Sequence, residues 1–319
     1  MTKKEYRISN WKDYNTALKN RGNIEIWINK KVLENWYEKL SKKKKRKSGR
    51  PKEYSNIAIK CALIIKFLHG FGFRQTQGFL TSLLKLLKLE IKVPDYSTVC
   101  KRQSEIDVEL LRKHKNCRKL FMLVDSSGLK VFGDGEWSAR QHGPSKRRTW
   151  IKIHVGVGIT AGNKKRIEVV EITKSNEADC KVLPKLLNKV KGKIDKTVGD
   201  GAYDNKGNYD TAIKRGAKLI VPPRKGSNTR YIKGVKSPPL DARNKTVRYV
   251  HRYGMKSWKE KTSYHVRSLV ENMFFRLKTT FGDKLAAHKF DNQIIEGSLK
   301  CEILNRMTEI GVAKSYVAN

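Results

Sequence analysis

Apolar residues recur along this chain at two different spacings, and the change from one to the other divides it. Between Asn56 and His69 the residues Ile57, Ile59, Ala62, Leu63, Ile64, Phe67 and Leu68 fall three and four apart, and Gly70 ends the run, which predicts a helix. A second helical pattern over residues 74–87 carries Phe79, Leu80, Leu83, Leu84 and Leu87, and Pro94-Asp95-Tyr96-Ser97 reads as the start of a third. From residue 120 the pattern changes. LFMLVDSSGLKVF (120–132), WIKIHVGVGIT (150–160) and RIEVVEITKSN (166–176) are rich in β-branched and aromatic residues and predict strands, with Gly162-Asn163 as a hairpin turn between the last two. A helix over 177–190, a strand KTVGD (196–200), a helix over 207–215 and a strand KLIVPP (218–223) follow. Residues 224–257, rich in Arg, Lys, Gly, Ser and Pro, read as irregular, and a long helix containing 264–278 comes after them. Strands in that order predict an α/β domain with a mixed sheet, its first three strands joined as a meander.

The resulting layout is an N-terminal segment (1–40), a basic linker (41–55), an all-α helix-turn-helix region (56–110) and an α/β domain (118–312) with a basic insertion at 224–257. Charge adds a partner to this picture. The 319 residues carry 70 Lys and Arg against 30 Asp and Glu, a net charge of +40, while 38% of the chain is hydrophobic, enough for a real core. Such self-repulsion points to a polyanion, and nucleic acid fits because neutralising its phosphates releases counterions. A membrane surface does not fit: no apolar run approaches ~20 residues, and the start MTKKEYRISNWKDY has no signal-peptide core. Five cysteines, far apart and without a CxxC pair, argue against a disulfide framework and a zinc site and suit a reducing cytoplasm.

Two stretches offer themselves to DNA. The basic third helix presents Lys101, Arg102 and Gln103, as the last helix of a helix-turn-helix does in a major groove, although an ordinary three-helix bundle with a solvated third helix has the same pattern. Eight of the eleven residues from Lys42 to Lys52 are basic. Within them Gly49-Arg50-Pro51 resembles an AT-hook core, whose arginine lies in a narrow A·T minor groove; the alternative is a solvated charge run.

Chemistry concentrates at three carboxylates. In YHVRSLVENMFFRLK (264–278) Val266, Leu269, Val270, Met273, Phe274 and Leu277 make a core face. Tyr264, Arg267, Glu271 and Lys278 share a sector of roughly 60° beside it. An Arg267–Glu271 pair on a wet face would explain part of that stripe. Asp125 follows the buried run LFMLV, and Asp200 follows KTVG at another strand end; Asp204 competes with Asp200 but suits the cap of the next helix. Two strand-end aspartates and a helix-border glutamate are the hard oxygen ligands that phosphodiester cleavage with two Mg²⁺ ions requires. No GxxxxGK[ST] stretch supports ATP hydrolysis, and the seven histidines form no HExxH.

With these residues in hand, the chain resembles a DDE transposase of the bacterial insertion sequence 5 family. Tyr264, Arg267, Glu271 and Lys278 match that family's Tyr-(2)-Arg-(3)-Glu-(6)-Lys signature, Asp200-Gly201-Ala202-Tyr203 its second-carboxylate pattern, and VDSSGLKV around Asp125 its first. GRPKEYSNIAIKCALIIK and FRQTQGFL…VPDYSTVCKR resemble its DNA-binding region, so the likeness covers most of residues 45–310. It implies a ribonuclease H-like mixed-sheet catalytic domain behind an N-terminal helix-turn-helix domain. It implies a triad of Asp125, Asp200 and Glu271 holding two Mg²⁺ ions, with Mn²⁺ able to substitute. Tyr264, Arg267 and Lys278 would bind DNA phosphates. The implied reaction is cleavage at terminal inverted repeats and joining of the freed 3′-hydroxyls to target DNA, by a homo-oligomer on double-stranded DNA at the bacterial nucleoid. The alternatives are a catalytically inactive or domesticated DNA-binding protein and a different ribonuclease H-like nuclease such as a junction resolvase.

Overall fold

A computed structural model describes residues 5–39, 51–108, 110, 120–131, 150–159, 165–231 and 237–318. The chain forms two compact units, Met1–Val108 with Glu302–Asn319, and Glu109–Cys301. Arg50 and the rest of the basic run from 40 to 50, and the predicted turn at Gly162-Asn163, lie outside the described residues.

The first unit joins both ends of the sequence. Strand β1 (Glu5–Ile8) pairs antiparallel with β7 (Ser315–Ala318). Three short helices follow β1: α1 (Trp11–Arg21), α2 (Ile24–Trp27) and α3 (Lys30–Glu34). Trp27 and Trp36 are buried, and the Trp36 indole N–H donates to the Lys92 carbonyl at 2.9 Å, so the aromatic N-terminal segment does pack. Helix α4 (Asn56–His69) is capped by the Ser55 hydroxyl, which accepts from the Ala58 amide, and its middle, Cys61 to Phe67, is buried throughout. Helix α5 (Phe73–Leu86) leaves α4 at 107° across Gly70-Phe71-Gly72, within the range of a helix-turn-helix pair. Asp95 caps the short α6 (Tyr96–Arg102), where the sequence placed a helix start. Among the described residues no single helix is long and apolar enough to cross a membrane.

The second unit is built on a five-stranded sheet of β2 (Leu120–Lys130), β3 (Trp150–Ile159), β4 (Lys165–Lys174), β5 (Ile194–Val198) and β6 (Lys218–Ile220), in the order β4-β3-β2-β5-β6. The first three strands form the predicted antiparallel meander, and β5 and β6 extend the sheet in parallel. Alternation along the strands separates two faces. Leu120, Met122 and Val124 pack against Val182, Leu183, Leu186 and Leu187 of α7 (Asp179–Lys189) and against Tyr209 and Ala212 of α8 (Lys206–Lys214). Each such leucine contributes about 1.5–3 kcal/mol by leaving water. On the opposite face Gly297 of α11 (Phe290–Ile310) sits so close to Ile172 and Ile153 that a Cβ would lie 2.4 Å from an Ile172 methyl. A mixed sheet of this order covered on both faces is ribonuclease H-like, and the helical region precedes it, as expected.

The sequence reading needs two corrections. Residues 238–262, within and beyond the stretch read as irregular, form the long helix α9 (Pro238–Thr262), kinked at Gly254. Two prolines open α9, and Leu240, Arg243, Asn244 and Val247 turn inward at helical spacing. The helix of the signature stretch is also shorter than periodicity suggested: Tyr264–Arg267 is a 3-10 turn after a left-handed Ser263, and α10 (Ser268–Phe281) begins only after it.

Candidate active site

Parallel pairing sets the two aspartates side by side. The β2–β5 ladder ends at Leu123↔Val198, and Asp125 and Asp200 are each two residues further along the chain. Beyond that point β2 continues to Lys130 paired with β3, with Asp125 opposite Val155, so Asp125 is mid-strand rather than at a strand end. What ends there is its neighbour. The chain leaves β5 through Gly199, where a Cβ would meet Tyr203 at 2.7 Å and Val124 at 2.9 Å, so only glycine fits. Asp200 then turns, its Oδ1 accepting the Ala202 amide at 2.9 Å.

Arg267 ties the third carboxylate to the first. Its Nη1 donates to Asp125 Oδ2 at 2.7 Å, and its Nη2 pairs with Glu271 Oε1 in the first turn of α10. The pair anticipated as a wet-face contact therefore has a second arm into the sheet. Burial pushes the Asp125 carboxyl above its ordinary value; the Ser126 amide and Arg267 pull it down, and the charges of Asp200 and Glu271 push it up. Tyr264 joins the same group. Burial drives its hydroxyl up to about 12, with Arg267, Asp200, Asp125 and Glu271 all acting on it, and its ring lies 5.3 Å from that of Trp258. Lys278 does not join: it is on the last turn of α10, roughly 10 Å along the axis from Glu271, where it adds slightly to the hydrogen bond from Lys130 that lowers the Asp283 carboxyl.

Asp204 is neither a rival ligand nor a helix cap. Arg243 grips both its oxygens, at 2.9 and 3.0 Å, inside the core, and Asn205 caps α8 instead.

The residues offered to DNA in the first unit divide. Lys101 is exposed and lines a cavity of about 530 Å³ with Arg74, Gln75, Tyr96 and Ser97. Arg102 is a correction: it is 8% exposed, and its guanidinium donates to the Tyr54 carbonyl at 2.5 Å, Asn56 Oδ1 at 2.6 Å and Glu105 Oε2 at 3.4 Å. Gln103 is buried too. Arg102 thereby ties the end of α6 to the start of α4.

Sequence reasoning missed a polar network beside the aspartates. Ser126 Oγ donates to Asp179 Oδ2 at 3.0 Å, and Lys152 Nζ donates to Asp179 Oδ1 at 3.0 Å and to the Glu177 carbonyl at 2.9 Å. Its signal was present in WIKIHVGVGIT, where Lys152 and His154 interrupt an apolar strand two residues apart, hence on one face. The Tyr203 hydroxyl is buried near Asp179, Asp125 and Asp200 with no hydrogen-bond partner among the described residues, and its pKa is raised, chiefly by burial.

Among the described residues no three carboxylates, histidines or cysteines are close enough to hold a metal ion as they stand. The donor set nonetheless suits a hard divalent cation: the charges of Asp200 and Glu271 both act on Asp125, and the positive charge between Asp125 and Glu271 belongs to the side chain of Arg267. Two family models match the chain, each described as a transposase DDE domain, one over residues 19–134 and the other over residues 116–305.

Proposed function

The chain belongs to the DDE transposase family, and on that premise we propose that Asp125, Asp200 and Glu271 are its catalytic carboxylates, holding two Mg²⁺ ions or Mn²⁺ in their place. The observation that carries this reading is the parallel pairing of β2 with β5, which puts Asp125 in β2 and Asp200 in the turn just after β5, each two residues past the last paired rung, with Glu271 linked to Asp125 through Arg267. When bound, such ions would activate the attacking water or 3′-hydroxyl and stabilise the leaving oxygen.

The residues of the chain have separate tasks. Asp125 presents its oxygens from strand β2, Asp200 from the turn that follows β5, and Glu271 from the first turn of α10. Arg267 balances two of these charges while the site is empty of substrate and transfers its guanidinium to a DNA phosphate when the carboxylates gain other counter-ions. Tyr264, kept protonated by its raised pKa, donates a hydrogen bond to the phosphate beside it. Lys278, further along α10, holds the DNA backbone away from the reacting bond.

The reaction is cleavage at the terminal inverted repeats of an insertion sequence and joining of the 3′-hydroxyl ends to target DNA, in the manner of the insertion sequence 5 group. Lys101 with Arg74 contacts DNA from the first unit, and Arg50 reaches an A·T-rich minor groove. Bringing two ends together calls for a homo-oligomer on the DNA.

Duplexes carrying the flanking ends of the gene test this reading. Mg²⁺-dependent nicking at the repeat boundary is expected from the wild type and not from Glu271→Gln, with DNA affinity retained. Binding without cutting by both proteins would make the chain a DNA-binding relic. Loss of binding together with cutting would make Glu271 structural.

A further inference from the structure

The network around Asp179 crosses the sheet. Strand alternation sends the Asp125 side chain to the face where Arg267 and α10 meet it and the Ser126 side chain to the face covered by α7. Ser126 therefore touches both. Its amide donates to Asp125 Oδ1 at 2.9 Å, and its hydroxyl donates to Asp179 Oδ2 at 3.0 Å. Asp179, the first residue of α7, is held in turn by Lys152, whose ammonium also grips the Glu177 carbonyl just before the helix. His154 stands beside this pair without supplying a charge. It is fully buried, with Nε2 on Thr173 Oγ1 at 2.9 Å and Nδ1 3.9 Å from Asp179 Oδ1, and among the described residues Nδ1 has no hydrogen-bond partner. The two Asp125 oxygens are thus held differently: Oδ2 by Arg267, which must let go for a cation to enter, and Oδ1 by Ser126, which need not.

We propose that Asp179 is a positioning residue for the Asp125 carboxylate, acting through Ser126. It fixes the Ser126 hydroxyl, so the Ser126 amide stays aimed at Asp125 Oδ1 when Arg267 leaves Oδ2. This rests on the reading of Asp125 as a metal ligand, and its effect is on how well the empty site is shaped for the ion. Outer partners that orient a ligand typically change metal affinity by about 10–100-fold when removed.

Equilibrium binding of Mn²⁺ to the full chain, read by electron paramagnetic resonance without DNA, tests it with Asp179→Asn, Ser126→Ala, the double variant and Glu271→Gln. Asp179→Asn and Ser126→Ala should each weaken Mn²⁺ about tenfold or more. The double variant should be no weaker than the worse single one, because both changes break one route. Affinity for a repeat-end duplex in EDTA, by fluorescence anisotropy, should be unchanged. Additive losses in the double variant overturn the route through Ser126, and so does a lower unfolding temperature in Asp179→Asn with Mn²⁺ affinity intact. If Asp179→Asn does not fold, Ser126→Ala decides, since wild-type Mn²⁺ affinity there overturns the proposal. Failure of the underlying reading looks different: Glu271→Gln would then bind Mn²⁺ as tightly as the wild type.

Discussion

A single guanidinium holds two of the candidate carboxylates, and burying Asp125 costs stability that this pairing only partly returns. The Asp125 carboxyl sits above its ordinary 3.8, mainly from burial. Between the ordinary and the raised value the folded chain holds a proton that the unfolded chain has lost, so stability falls as pH rises through that window. Asp125→Asn should therefore raise the unfolding temperature at pH 7. Thermal scans from pH 7 down to 4 should show the gap closing as the wild-type carboxyl protonates. Arg267→Gln should act in the opposite direction, because Asp125 and Glu271 lose their shared partner. Its unfolding temperature without metal should drop below the wild type, and millimolar Mn²⁺ should restore more of it than the same Mn²⁺ adds to the wild type. An equal gain in both proteins would mean that Arg267 and the ion do not share a place. At this scale the sequence was informative where chemistry is local. An aspartate after a buried strand is visible in one dimension, and so is the Arg267–Glu271 spacing. Arg102 was not, because the Tyr54 carbonyl and Asn56 that consume its donors lie more than forty residues away in sequence. Asp179 was hidden for the same reason: its partners Ser126 and Lys152 come from two different strands.

At the scale of elements, strands were legible and α9 was not. Strands here are bounded by turn residues and carry continuous apolar runs, whereas the inward face of α9 includes Arg243 and Asn244, which no hydrophobic pattern reveals. Its two opening prolines were the signal to read. That polar face is nonetheless what anchors the helix. Arg243 on Asp204 is a pair 5% and 1% exposed, so removing one partner strands a buried charge. Asp204→Ala should cost about 3–5 kcal/mol in urea denaturation, while Asp200→Ala, which frees a turn-capping oxygen, should cost far less. Gly254 has φ 79° and ψ 163°, a conformation closed to side chains, and it breaks the helix between Tyr253 and Met255. Gly254→Ala should lose about 1–3 kcal/mol in the same assay. A fully tolerated alanine there would mean that the kink can straighten without consequence.

For the whole molecule the governing quantity is the net charge of +40. If 6–10 of those charges meet phosphates, affinity for a DNA duplex should fall by about 10³–10⁵ between 50 and 200 mM salt, a slope that fluorescence anisotropy reads directly. A loss below tenfold would leave the charge without its polyanion. The division into a helical region and a sheet was readable from the change of period at residue 120. The route of the chain was not, because the first unit is completed by residues from its far end. Ser9 donates to the Lys314 carbonyl through both its amide and its hydroxyl, 305 residues away, and Asn10 reaches Val312. A ribosome thus delivers β1 roughly 15–60 s before β7 at 5–20 residues per second, with the whole sheet made in between. The unit whose synthesis starts first is therefore the one whose last strand is made last.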